Sequence, residues 1–321
     1  MRAVQVVTPT GPADIKVRDV DEPTPGPDDV LIEVHRVGVS FPDLLLTRGE
    51  YQLKPDPPFS LGVDVAGTVV GGTGFSEGAR VAAAFAYGGA QERAAIPAMF
   101  TFALPDAISY DEGAALPMNY LTAQFALAER GGLKPGETVL VHGAAGGVGT
   151  ATLQVARGMG ARTIAVVSTE EKAEVARAAG ADEAVLVDGF KDAVKELTGG
   201  NGVDVVLDVV GGDAFTDSLR SLSTQGRLLV VGFASGQGIP EVKVNRLLLN
   251  NIDVRGVGWG AFAMMRPGYM QEQWQALVPM MESGVVKPPI GHIYDLEEFG
   301  QALVDMDERR TLGKSVVRVR G

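Results

Sequence analysis

Apolar and polar positions along the 321 residues follow two different rhythms. Up to residue 118, alternation at 3–7, 30–37, 63–70 and 80–84, broken by Pro and Gly, predicts the short strands of an irregular, mostly β domain. From 119 to 258 the alternation gives way to short, mostly apolar candidate strands at 138–141, 163–167, 183–187, 203–207, 227–231 and 252–257, with helical spacing between them. Strands covered on both faces read this way, and six of them with intervening helices predict an α/β unit built on a doubly wound parallel sheet. After residue 258 the pattern predicts helices at 271–283 and 296–306 and a last strand at 315–319. That tail has no room for a core of its own. The expected organisation is therefore a domain 1–118 completed by 259–321, with a dinucleotide-binding domain at 119–258.

The most informative stretch is TVLVHGAAGGVG at 138–149, a buried strand that runs into glycines and then into a helix. Val148, Leu153, Val155, Ala156 and Met159 recur at helical spacing, and Gly160 is a stop. Gly146 lets the backbone approach a phosphate, Gly149 lets helix and strand pack closely, and the first amides of the helix face the anion. Ala144 stands where the strict G-x-G-x-x-G pattern has its first glycine. Ala145, Gly146, Gly147 and Val148 are the candidate pyrophosphate contacts.

The next strand ends at Ser168, nineteen positions past Gly149, where an Asp or Glu would hold the ribose 2′-hydroxyl of NAD. Ser168 and Thr169 carry no charge to repel a 2′-phosphate, and Lys172 is within reach to pair with one. NADPH is indicated over NADH. The same residues also read as the N-cap of the helix containing Lys172, with Glu171 completing a capping box from Ser168, and the two readings are compatible. In such a sheet ligands lie beyond the carboxyl ends of the strands, which makes Val210, Gly211, Gly232 and Phe233 further candidate cofactor contacts. Glycines at those places are also ordinary turn punctuation.

Composition narrows the chemistry. A formal net charge of −12 argues against a nucleic-acid or anionic-membrane surface, so a phosphate site must be a local device of helix amides and one or two cations. The chain has no cysteine, which excludes disulfides, iron–sulfur clusters and thiolate zinc sites. No charged start followed by an apolar run appears, nor any apolar stretch of the length that spans a bilayer. A cytoplasmic enzyme is expected.

The motifs GVSFPD at 38–43, GEY at 49–51, PFSLGVDVAG at 58–67, LPMNYLTA at 116–123, AAGGVG at 144–149, GVGWG at 256–260 and LGK at 312–314 agree in order and spacing with one family. In them the chain resembles the medium-chain dehydrogenase/reductase superfamily, specifically its zinc-independent quinone oxidoreductase branch. The resemblance implies a GroES-like, mostly β catalytic domain beside a Rossmann domain. The three catalytic zinc ligands of the alcohol dehydrogenases in this superfamily fall at Ser40, Val63 and Met118, a set unsuited to Zn²⁺. His35, His142 and His292 lie apart in the sequence and do not replace it.

A metal-free reduction of a quinone or similar conjugated carbonyl compound is thus implied. Hydride reaches an electron-poor carbon, the charge spreads onto a conjugated oxygen, and the protein orients the acceptor and supplies donors. The candidate donors are Tyr51, Ser40 and Asn119. Tyr51 resembles the tyrosine of related enoyl-thioester reductases and also reads as a rim aromatic on Pro55 and Pro58. Ser40 stands where the branch usually has Asn. Asn119 and Thr122 resemble residues at the nicotinamide end and also read as a helix cap, and Lys314 resembles a position near the cofactor. Asp43 and Asp64 are expected to hold loops through backbone amides. Val187 and Asp188 replace an Asn-Tyr pair of the family, and an acid there weighs against a 2′-phosphate. The alternatives are an enoyl-CoA or 2-alkenal reductase on the same frame and a non-catalytic NADPH-binding protein. The resemblance further implies a homodimer formed through the sixth strand of the cofactor sheet.

Overall fold

The computed structural model describes residues 1–320 and divides into two compact units. The first comprises 1–118, 267–278 and the chain from 288 onward; the second comprises 119–266 and 279–287. Residues 259–266 stay with the second unit. There Phe262 packs on Phe125 with ring centroids 4.9 Å apart, and the Arg130 guanidinium donates to the Gly256 carbonyl at 2.9 Å.

The first unit is the GroES-like, mostly β part. Its larger sheet runs Ile290–Asp295, Lys314–Arg318, Asp29–Gly38, Asp64–Gly72, Arg80–Ala84 and Thr101–Ala103 in spatial order, with Arg93–Pro97 also pairing on Asp29–Gly38. A small sheet joins Lys16–Asp19, Arg2–Val6 and Phe59–Ser60. Asp29–Gly38 alternates between buried and half-buried positions, as a strand with one face on the core must. The returning tail has a physical reason to sit here: Val316 and Val317 are wholly buried, and Val316 packs with Ala66 and Ala114. Its antiparallel register sets Val316 against Gly38 and Val317 against Val37, and the Val39 amide donates to the Ser315 carbonyl at 3.0 Å. Lys314 is thereby brought opposite Ser40.

The second unit holds one six-stranded sheet in the order Glu183–Leu186, Arg162–Val167, Thr138–His142, Val203–Asp208, Leu222–Val230, Asp253–Gly256. Every pairing is parallel. In chain order this is 3-2-1-4-5-6, the Rossmann arrangement, with the switch point between Thr138–His142 and Val203–Asp208. Val139, Leu140, Val141, Ile164, Val205, Val206 and Leu207 are wholly buried because helices cover both faces. Leu140, Ile164, Val206 and Leu228 join Phe190, Val194, Phe215 and Leu219 in one core cluster. The predicted strand at 227–231 begins earlier, at Leu222, because Leu222 also pairs with Val203 across an irregularity in the ladder.

Candidate functional site

In the second unit the strand Thr138–His142 delivers the chain into a turn, from which the helix Gly147–Gly158 starts with Gly146 as its N-cap. The first amides of a helix have no acceptor within it and are left for a ligand. Close packing is what the glycines serve. A Cβ on Gly149 would lie 2.2 Å from the Gly143 carbonyl oxygen and 2.6 Å from the Ala144 Cα, and one on Gly147 would lie 2.5 Å from the Asn119 Nδ2. Ala145 is buried against this turn and Val148 half-buried. Asn119 therefore lies against the glycine loop. It sits on the helix Pro117–Gln124 with Thr122 one turn on, both nearly buried. The Tyr120 hydroxyl ties this helix to Gly147–Gly158 by donating to the Gln154 Oε1 at 2.7 Å.

At the end of Arg162–Val167 the cap of the following helix Glu170–Ala178 is Thr169, whose hydroxyl accepts from the Lys172 amide at 3.3 Å. Ser168 is left to the Lys172 ammonium, which donates to its Oγ at 3.2 Å. The hydroxyl and cation expected for a 2′-phosphate are thus side by side. Register carries Asp188 to the same edge of the sheet, since Leu186 pairs with Val167 two residues earlier.

Two further strand ends are tied into one piece. The Asp208 carboxylate accepts from the amides of Val210 at 2.8 Å and Gly211 at 2.9 Å, and its carbonyl accepts from Val231 and Gly232. The carbonyls of Val209 and Val210 accept from Ala234 and Ser235, and a Cβ on Gly211 would stand 3.0 Å from the Phe233 ring. Val210, Gly232 and Phe233 are therefore held together. Sequence reasoning assigns Asp208 no role of its own, although an Asp at the end of a strand, where its carboxylate can take the amides two and three residues on, is a readable signal. His142 is a core residue: its Nε2 meets the Ser218 Oγ at 2.8 Å, and burial holds its pKa below the ordinary value.

In the first unit Ser40 begins the helix Phe41–Arg48. Its amide donates to the Asp43 carboxylate at 3.3 Å, and the other Asp43 oxygen accepts from the Gly62 amide at 2.8 Å. Burial pushes the Asp43 carboxyl up to about 7, with the Asp64 charge adding to the shift and the Gly62 amide opposing it. Asp64 accepts from the Met118 amide at 2.8 Å, so both acids bind loops through amides. The Ser40 hydroxyl donates to the other Asp64 oxygen at 2.7 Å. Lys314, expected beside the cofactor, donates to the Ser40 Oγ at 2.6 Å and to the same Asp64 oxygen at 2.9 Å. Tyr51 is half-buried two residues beyond the αL cap Gly49, and burial together with the Asp43 charge raises its pKa.

Zinc does not fit these residues. Ser40 offers a hydroxyl already shared between an ammonium and a carboxylate, Val63 offers no donor and Met118 offers a thioether. Among the described residues no group of three or more His, Cys, Asp or Glu is arranged to hold a metal ion, and no helix is long and apolar enough to cross a membrane.

Residues 26–106 match the family model described as alcohol dehydrogenase GroES-like domain, and residues 147–283 match that described as zinc-binding dehydrogenase. Quinone oxidoreductase-like protein 2 of Bos taurus is 36% identical over 311 residues, covering 94% of this chain and 89% of its own length. The crystal structure of a probable oxidoreductase from Mycobacterium abscessus is 42% identical, with a TM-score of 0.90 over 99% of this chain and 98% of its own. Mycobacterial Rv1454c, solved in complex with NADPH, is 33% identical with a TM-score of 0.90, covering 99% of this chain and 100% of its own. The chain belongs to the quinone-oxidoreductase-like members of the medium-chain dehydrogenase/reductase superfamily, a superfamily of NAD(P)H-dependent oxidoreductases.

Proposed function

We propose that this protein is an NADPH-dependent reductase of quinones or similar conjugated carbonyl compounds, working without a metal. The pairing of Lys172 with Ser168 at the end of the second cofactor strand carries the reading. A 2′-phosphate there would meet a hydroxyl and an ammonium instead of the carboxylate that selects NAD. The NADPH complex of mycobacterial Rv1454c supports the same cofactor. Ala145, Gly146, Gly147 and Val148 are assigned to the pyrophosphate, and Asn119, Thr122, Val210, Gly232 and Phe233 to the nicotinamide half. Bound there, NADPH would supply a hydride.

Tyr51 is assigned as the donor to the acceptor oxygen. Burial and the Asp43 charge both favour its protonated, hydrogen-donating form. Ser40 is a weaker donor, because its hydrogen is committed to Asp64. A coenzyme A thioester is disfavoured by the basic side chains. Of the five scattered candidates, Arg36 pairs with Asp111, Arg48 with Asp307 and Arg93 with Glu22, and Arg266 lies over the Phe262 ring, so that Lys54 offers the thioester's phosphates a single charge and not a cluster.

A cytoplasmic homodimer is part of the proposal. The strand Asp253–Gly256 is paired on one side by Leu222–Val230 and is the edge of its sheet. An antiparallel second copy centred on Val254 would set Asp253 against Arg255, a self-complementary seam.

The decisive experiment follows NADPH oxidation with a quinone panel beside a 2-alkenal and an enoyl-CoA. Lys172→Ala is expected to weaken NADPH binding roughly tenfold or more and to leave NADH unchanged. Equal losses for both cofactors would overturn the assignment of Lys172, and binding without turnover of any acceptor would overturn the enzymatic reading.

A further inference from the structure

Three positions that resemble zinc ligands, Ser40, Val63 and Met118, come together in the first unit around one carboxylate. Asp64 follows Val63 directly, accepts the Met118 amide on Oδ1 at 2.8 Å and accepts the Ser40 hydroxyl on Oδ2 at 2.7 Å. It is wholly buried, and a buried carboxylate needs charge compensation. Lys314 supplies it at 2.9 Å, only 5% exposed, and also bonds to Ser40. The lysine stem reaches this place across Gly38, where an added Cβ would fall 2.8 Å from the Lys314 Cε and 2.0 Å from the Ala114 carbonyl oxygen. Sheet register, glycine and lysine all serve one contact.

We infer that Asp64, balanced by Lys314, replaces the metal as the cross-link of these positions, and that the two are positioning residues for the acceptor half of the reaction. Hydrogen bonds from Ser40, Met118 and Lys314 to one carboxylate join four segments of chain: the start of Phe41–Arg48, the start of Asp64–Gly72, the start of Pro117–Gln124 and the start of Lys314–Arg318. Coordinate bonds from three ligands to one cation would join the same positions. Asp64 and Lys314 are both buried. They act by fixing Ser40 and, through its amide, Asp43. The inference rests on the metal-free reading of the reaction.

The test uses the whole chain. Lys314→Met leaves Asp64 buried without its cation and is expected to lower the melting temperature by roughly ten degrees, with partial recovery in Lys314→Arg. Ser40→Ala keeps the ion pair and removes only the bridging hydroxyl. It is expected to fold and to lower kcat/KM for a quinone roughly tenfold while the NADPH dissociation constant, read by fluorescence, stays the same. Combining Ser40→Ala with Lys314→Met should cost less than the two separate losses of stability added together, because they share one network. The inference is overturned if the losses add, if NADPH affinity falls as much as kcat/KM, or if the wild type carries one zinc per chain whose chelation lowers the melting temperature. Should the wild type turn over no quinone, the functional reading fails alone, and the melting cycle and zinc content still decide the cross-link.

Discussion

Asp43 shows what one buried side chain does to the whole free energy. Its ordinary value is 3.8, and burial lifts the folded-state value to about 7. Between those values the native protein binds the proton that the unfolded chain has released, so stability from this group is full below pH 4 and is lost as pH rises to about 7. The loss amounts to about 4 kcal/mol. Asparagine does not titrate. In urea unfolding across this range, the stability of the wild type relative to Asp43→Asn is therefore expected to decline steadily from pH 4 to pH 7, and a constant difference would contradict the burial of a titrating acid. That Asp43 holds a loop through backbone amides was expected from the family resemblance, whereas the helix start it shares with Ser40 was not read. Its environment was not legible either, because burial comes from segments distant in sequence.

At the scale of elements, the strand, turn and helix from Thr138–His142 to Gly147–Gly158 form a unit whose geometry is set by backbone contact. Alanine at Gly149 would press a Cβ against the backbone of Gly143 and Ala144, which cannot rotate away. A loss of about 3 kcal/mol in stability is expected, together with weaker NADPH binding. Alanine at Gly147 meets the amide end of the Asn119 side chain, which can turn aside, and should cost clearly less. Denaturation and NADPH titration of the two variants check this order, and equal costs would remove the argument. The glycine loop was readable because strand, glycine and helix are adjacent in the chain. Short edge strands such as Lys16–Asp19 and Thr101–Ala103 were not read, since three or four residues carry too little periodicity.

For the molecule as a whole, the edge strand Asp253–Gly256 decides the proposed assembly. An exposed edge presents unpaired backbone groups, and a second copy is the simplest cover. Within one chain the Arg255 guanidinium reaches Asp253 at 2.5 Å, and in the proposed dimer the two would exchange partners across a two-fold axis. Arg255→Glu would set acid against acid in that seam and is expected to give monomers in light scattering. Exchanging both charges, Asp253→Arg with Arg255→Glu, should restore the dimer. A dimer that survives Arg255→Glu unchanged places the interface elsewhere.

Periodicity and local backbone chemistry were sufficient for the α/β class and for the strand, glycine turn and helix at 138–158, because each element is read from residues within a few positions of one another. The tail was read as one completion of the first domain, whereas in the fold 267–278 and the chain from 288 onward lie with the first unit and 259–266 and 279–287 with the second. Lys314 marks the limit. In sequence it was a lysine near a family's cofactor position; in the fold it lies against Ser40 and Asp64, separated from them by 274 and 250 residues. Which partner satisfies a buried charge depends on strand order and register across the sheet, a long-range property that no local pattern encodes.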